Sequence, residues 1–189
     1  MDSYSVYDKR QAIITTVWDY LLKKGLSNAT IGDLCRDAKL AQSSLYYWFD
    51  NKDDIWISAG KHGISNVVNK LLEFTLNHTD DVRKYFDTLL DEVEKYKYEL
   101  RLALQITTSP LFGEQMRNKA KDFRCWYEKY ANTLIDIFEC TYEQAETFIY
   151  SIIAYVIDYV IWDDREKTQM LLENLYSRII NVLKTDKQQ

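Results

Sequence analysis

Apolar residues recur along this chain at three- and four-residue intervals almost from end to end, the spacing of one helical face after another. A first helix is expected from about Asp8 to Lys24, with Ile14, Trp18 and Leu21 on one face and Gly25 as its stop. Thr30, three residues before Asp33, resembles a capping box and opens a short helix over about Ile31–Ala38. A second short helix, about Gln42–Phe49, follows after a tight turn. Asn51 is placed to cap a long helix that runs to about Leu76, with Lys52, Asp53 and Asp54 in its first turn. Further helices are expected from the Asp80–Asp81 pair to about Tyr98, and from there to Thr108. Ser109–Gly113 is the clearest breaker, and one helix is expected beyond it, over Glu114–Phe138. Thr141 and Gln144 form a capping box for Tyr142–Trp162, the Asp163–Asp164 pair ends that helix, and a last one spans about Glu166–Leu183. The expected fold is all-α: an N-terminal three-helix helix-turn-helix domain and a C-terminal helical bundle, about nine helices in all.

The segment from Thr30 to Phe49 carries the most information. Leu34, Ala38, Leu40, Leu45 and Phe49 supply a small apolar set. In the second short helix Leu45 and Phe49 lie one turn apart and face inward, so Gln42, Ser43, Tyr46 and Tyr47 share the outward side. This is the layout of a helix-turn-helix, whose second helix enters the major groove of DNA. A Gln amide suits a base edge, and Ser and Tyr hydroxyls suit base edges or phosphate oxygens.

The run Leu45-Tyr46-Tyr47-Trp48-Phe49, followed by Asn51-Lys52-Asp53-Asp54-Ile55, resembles the N-terminal domain of the TetR family of transcriptional regulators, a resemblance that covers about residues 8–60. It implies a DNA-binding domain over residues 1–50 and a ligand-binding and dimerising helical domain over 51–189 that starts with a connecting helix. By matching position, it implies that Thr30 caps its helix against a backbone phosphate. It places Gln42, Ser43 and Ser44 at bases or phosphates, and Tyr46 and Tyr47 at phosphates and a thymine methyl. Lys52 would pair with a phosphate at a helix N-terminus, and Trp48 would offer its indole N–H to another. Three positions depart from the family pattern. Lys39 stands where the turn normally has Gly, Ala41 where the recognition helix normally has a Ser cap, and Trp48 where a His is common.

Charge complicates this picture. The chain of 189 residues carries a net charge of −5, and residues 1–60 hold seven Lys/Arg against eight Asp, a net −1. Nucleic-acid binding therefore has to rest on local residues, since the chain has no basic character overall. The scarcity of Gly (5) and Pro (1) favours long helices over strand-and-turn structure. Cys35, Cys125 and Cys140 are odd in number and have no metal-type spacing, which reads as free thiols in a reducing compartment. The N-terminus has no secretory signal pattern. The greasiest stretch, Phe148–Trp162, is interrupted by Ser151 and Asp158 and is shorter than the ~20 residues of a membrane span. A cytoplasmic protein without membrane contact is expected.

His62 and His78 have no acid or Cys at metal-ligand spacing, and no phosphate-binding, zinc-protease or serine-hydrolase motif occurs, so neither a metal, a cofactor nor an enzyme is expected. Tyr142–Trp162 is apolar on nearly every side and needs cover on all of them, which points to a homodimer with that helix and the last one at the interface. The helix before it, with its neighbours, offers Trp126, Tyr127, Tyr130 and Tyr155 as the lining of an apolar pocket for a small aromatic effector; ordinary packed core is the other reading of the same residues. The function expected is that of a ligand-responsive repressor released from a palindromic operator in duplex DNA. The competing expectation, kept alive by the net −1 and by Ala41, is a helical protein–protein adaptor that has lost DNA binding.

Overall fold

The computed structural model describes residues 3–119 and 124–186. Among these there are ten α-helices and no strand. They are α1 (Ser3–Lys24), α2 (Ile31–Asp37), α3 (Gln42–Trp48), α4 (Lys52–Leu76), α5 (Val82–Lys95), α6 (Lys97–Thr108), α7 (Gly113–Lys119), α8 (Arg124–Phe138), α9 (Tyr142–Trp162) and α10 (Arg165–Asp186), with a 3-10 turn at Leu26–Asn28. The stretch expected as one helix over Glu114–Phe138 is represented by α7 and α8, and residues 120–123 lie outside the described set.

Local chemistry fixes most of the boundaries. Gly25, at φ +76°, takes the left-handed conformation that stops α1 and returns its N–H to the Leu21 carbonyl at 2.8 Å. The Thr30 hydroxyl accepts from the Asp33 N–H at 3.1 Å and caps α2. Asn51 Oδ1 accepts from the Asp54 N–H at 2.9 Å at the start of α4, and Asp81 caps α5 through the Lys84 N–H at 3.0 Å. At α9 both halves of the capping box form: the Thr141 side chain takes the Gln144 N–H at 3.3 Å, and Gln144 Oε1 takes the Thr141 N–H at 2.9 Å. Asp163 ends α9 at φ +62°, and Asp164 accepts from the Lys167 N–H at 3.0 Å to open α10. The acid pairs are thus helix-end residues, as the pattern indicated.

The chain divides into two compact units, residues Met1–Val67 with Tyr98–Lys121, and Val68–Lys97 with Asp122–Gln189. The first is built on one apolar cluster. Val17 and Leu21 of α1, Leu34 of α2 and Leu45 of α3 are fully buried in it together with Ile55 and Ile57 from the start of α4. Leu102 and Ile106 of α6, and Phe112 and Met116 around the start of α7, enter the same cluster. The close approach of α1 and α4 depends on Gly63. A Cβ there would lie 2.1 Å from Trp18 Cε2, so the indole can lie flat on the helix only because that position carries no side chain.

In the second unit α9 packs between α8 and α10, and α10 also packs on α5. Arg83 of α5 forms a two-pronged pair with Glu173 of α10, at 2.8 and 2.7 Å. The buried ammonium of Lys97 bonds Glu94 at 3.0 Å and Asp163, and sits 4.2 Å from the centre of the Tyr159 ring. Burial works against that charge, but the two carboxylates outweigh it and hold the lysine above its ordinary value. The α9 helix is, among the described residues, the one long and apolar enough to cross a membrane. Its inner side (Ala145, Phe148, Ile149, Tyr159, Val160) is buried within the unit. Its other side leaves Tyr150, Ile157, Ile161 and Trp162 exposed.

Candidate nucleic-acid interface and effector cavity

The second short helix, α3, has seven residues, too few to hold itself in water, so its stability comes from the side it buries. Leu45 is fully buried, and Phe49, whose N–H closes the helix on the Leu45 carbonyl at 3.0 Å, is 2% exposed. Burying those two fixes the rotation of the helix. Gln42, Ser43 and Ser44 are consequently exposed, Tyr46 is 43% exposed and Tyr47 76% exposed. The outward face read from the spacing is the outward face of the structure, and it joins an amide and four hydroxyl groups on one small helix.

Two of the three departures from the family pattern have visible consequences. Lys39 adopts φ +53°, the left-handed conformation that a glycine takes without strain, and the turn still closes through Leu40 N–H to the Cys35 carbonyl at 2.9 Å. Ala41 stands at the N-cap of α3, and no side-chain cap bond forms there. The third position, Trp48, divides its surface. It is half-buried against the apolar cluster, while its ring meets the edge of Tyr47 at 4.8 Å and 88°. Core packing therefore takes part of the indole that sequence reading had given to phosphate.

The flanking residues frame this face. Tyr20 of α1 accepts from the Thr30 N–H at 3.1 Å and donates to the Thr30 carbonyl at 3.2 Å, which pins the start of α2 to α1. The Thr30 side chain is exposed but engaged, because it caps α2 and also donates to Asp33 Oδ2 at 2.9 Å. That bond, with help from Arg36 at 2.9 Å, holds the Asp33 carboxyl below its ordinary value, so an ionised acid stands beside the position expected to meet phosphate. Lys52, the first residue of α4, is exposed, with its ammonium 6.0 Å from the centre of the Trp56 ring. Arg10 of α1 lies 4.9 Å from the centre of the Phe49 ring and so adds a guanidinium at the C-terminal end of α3. Sequence reading counted Arg10 as charge only; nothing in the local pattern reports a contact across thirty-nine positions.

Behind the first unit's face, at the α1–α4 contact, His62 forms a small polar node. Its Nδ1 lies 2.9 Å from the Gln11 amide, and its Nε2 lies 3.2 Å from the Thr15 hydroxyl and 3.0 Å from the Asn66 amide. Burial lowers the imidazole below its ordinary value, opposed by the charge of Asp19.

The second unit has a small, partly open cavity of about 20 Å³, room for one water-sized guest. Its wall is formed by Thr75 at the end of α4, His78 just beyond it, Val82, Tyr85 and Phe86 of α5, and apolar side chains of α8, α9 and α10, among them Phe138, Ile152 and Ile179. The four residues expected to line a pocket stand differently. Tyr130 is half-buried beside the wall, where it interacts with Tyr85 and Thr75; burial raises both phenols, Tyr85 to about 12, against the opposing effect of a hydrogen bond to Thr75. Tyr127 is 37% exposed and stacks on Tyr150 at 5.6 Å. Tyr155 is half-buried on α9, and the side chain of Trp126 lies outside the described residues. Sequence reading passed over Thr75, His78 and Tyr85, because aromatic abundance signals packing material and does not locate a gap in it.

No family model matches the chain. A curated relative, the negative transcriptional regulator IcaR of the biofilm operon icaADBC from Staphylococcus epidermidis, described as of helix-turn-helix type, is 25% identical over 108 residues. The match covers 53% of this chain and 55% of that protein, so the chain spans about half the length of the curated relative. Among solved structures, the multidrug binding protein EbrR complexed with imidazole has a similar fold, with a TM-score of 0.60 over 88% of this chain and 94% of that one, at 16% identity. The fold is therefore all-α and similar to that of EbrR, and the helix-turn-helix description of IcaR agrees with the resemblance carried by the α3 motif. Both are binding or regulatory proteins by description, in agreement with the expectation that this chain is not an enzyme.

Proposed function

We propose that this TetR-type chain is a DNA-binding transcriptional regulator that reads a palindromic operator through the outward face of α3 and is released from it by a small apolar or aromatic effector. The observation that carries this reading is the exposure of Gln42, Ser43, Tyr46 and Tyr47 on a helix whose opposite residues, Leu45 and Phe49, are buried. Gln42 reads a base edge, Ser43 and Ser44 contact bases or phosphates, the two tyrosines hold phosphates, and Lys52 and Thr30 anchor the backbone on either side. Trp48 contributes its indole N–H. In this reading residues 1–50 are the DNA-reading head and residues 51–189 form the effector-binding and dimerising domain.

The protein acts in the cytoplasm as a homodimer. Support for the dimer comes from α9, where Ile157, Ile161 and Trp162 lie exposed, with Met170 of α10 at 55% exposure. A second copy supplies the apolar cover that this face lacks. Two α3 helices then sit roughly 34–36 Å apart, one turn of duplex. The effector site is the second unit's interior, for which Tyr127, Tyr130 and Tyr155 remain candidate contacts, with Trp126 the fourth residue the sequence suggests. Repression ends when an effector favours a conformer in which α4, continuous from Lys52 to Leu76, no longer holds the heads at operator spacing.

Selection of duplexes from a random library by the purified full chain tests the reading. An enriched sequence with two inverted half-sites about one turn apart is expected, with affinity that falls steeply as salt rises. Recovery of no preferred duplex overturns it and favours a protein–protein adaptor.

A further inference from the structure

The apolar stripe of α1 ends on a charge. Arg10 stands one turn before Ile13 and Ile14, on the face that continues through Val17 and Leu21 into the cluster of the first unit. There its aliphatic stem lies along apolar surface while the guanidinium reaches outward, and the residue is half-buried. The guanidinium carbon lies 4.9 Å from the centre of the Phe49 ring. Phe49 is the C-cap of α3 and 2% exposed, so the ring is fixed, and a cation resting against it is held at the C-terminal end of that helix. Lys52 repeats the arrangement three residues on: its ammonium is 6.0 Å from the centre of the ring of Trp56, which is 1% exposed. By contrast, Arg36 is paired with Asp33 at 2.9 Å and Lys24 with Asp37 at 3.8 Å. Among the described residues no carboxylate pairs with Arg10. A ring answers its charge but is no substitute for an anion at the N–H donors of the guanidinium fork, whose matching acceptor is a carboxylate or a phosphate. The helix α3 itself has no charged residue, so the positive charge that a duplex backbone demands has to come from its flanks.

We propose that Arg10 is a further DNA contact, its guanidinium pairing with a backbone phosphate beside the bases that α3 reads, and that the Phe49 ring positions it there. This rests on the reading of α3 as the helix that meets DNA, and it adds a residue that lies outside the motif which supplied the other contacts. A side chain already held against a ring gives up its rotamer freedom on folding and not on binding, so the contact costs less entropy when the duplex arrives. It carries no sequence information; it fixes the register of the head on the backbone and adds to the salt dependence of binding.

The test is duplex binding by the full chain over a series of KCl concentrations, on the selected operator and on an unrelated duplex. Arg10→Gln removes the charge and should weaken both duplexes by a similar factor, roughly tenfold at low salt, and make the log–log salt dependence less steep by about one for each head. Arg10→Lys keeps the charge and should restore most of that slope. Phe49→Leu keeps an apolar residue in the core and removes the ring; it should weaken native binding with the slope retained, and weaken the Arg10→Gln background much less. An unchanged slope in Arg10→Gln overturns the contact, and so does a loss confined to one base pair of the operator, which would make Arg10 a reader of bases. Equal losses from Phe49→Leu in the native and Arg10→Gln backgrounds overturn the positioning by the ring. A native chain that selects no duplex sinks the reading of α3 together with this contact. A native chain that selects an operator, matched by Arg10→Gln in affinity and slope, loses this contact alone.

Discussion

Two helices of this protein leave a whole side uncovered, and they leave opposite chemistries there. On α3 the uncovered side carries the Gln42 amide and the hydroxyls of Ser43, Ser44, Tyr46 and Tyr47, while the buried side is held by Leu45 and Phe49. On α9 the buried side is apolar as well, but so is the uncovered one, with Ile157, Ile161 and Trp162 at 37%, 51% and 72% exposure. A polar uncovered face is at equilibrium with water and needs a partner only for function; an apolar one carries a standing free-energy cost until something covers it. In the proposed function the first face reads DNA and releases it, and the second is covered by a second copy of the chain. The same contrast explains why the net −1 of residues 1–60 does not forbid DNA binding. The outward side of α3 offers neutral hydrogen-bonding groups, Arg10 stands at its C-terminal end, and three of the eight acids, Asp33, Asp53 and Asp54, occupy helix first turns.

Breaking the contrast at α9 should have the largest effect. Ile157→Glu combined with Ile161→Glu puts two charges on the apolar face and should weaken self-association at least about a hundredfold. Sedimentation of the variant against native protein reads the loss, and helical content should be unchanged because neither side chain belongs to the unit's core. If instead the native chain sediments as a monomer and partitions into lipid vesicles, α9 meets a bilayer and the dimer reading is wrong.

The frame behind α3 comes next. Gly63→Ala places a Cβ 2.1 Å from the Trp18 indole and forces α1 away from α4, at a cost of about 1–3 kcal/mol in chemical denaturation. A smaller effect of opposite sign is expected at the turn before α3: Lys39→Gly relieves a left-handed residue and should gain roughly 0.5–1 kcal/mol after the added chain entropy of glycine is subtracted. The smallest is a pH effect at His62. Its imidazole is depressed in the folded chain, so the unfolded chain binds the proton more readily. The corresponding stability is present above the ordinary value of 6.5 and is lost as pH falls through the depressed folded value. Thermal melts of native protein and His62→Gln should diverge less under acid conditions than at neutral pH. A gap that widens on acidification contradicts the assignment.

The parts legible in the sequence were those written in short-range chemistry. The boundaries of α9 follow from Thr141 and Gln144 at one end and Asp163 at the other, and the orientation of α3 follows from Leu45 and Phe49 one turn apart. The strain at Lys39 and the missing cap at Ala41 were readable for the same reason: each concerns one residue and its immediate neighbours. What stayed hidden depends on contacts distant in sequence. Nothing in the local pattern shows that Leu102, Ile106, Phe112 and Met116 join the cluster that supports α3. The wall of the void is equally non-local, assembled from α4, α5, α8, α9 and α10.

The most direct test of the account is the base preference of Gln42→Ala, measured by quantitative duplex binding on the selected operator and on every single-base variant of one half-site. The account predicts that discrimination relaxes by about 1–3 kcal/mol at one base pair of each half-site and holds at the rest, with the helical fold intact. A variant that discriminates among all positions as the native chain does would mean that the outward side of α3 does not face the bases.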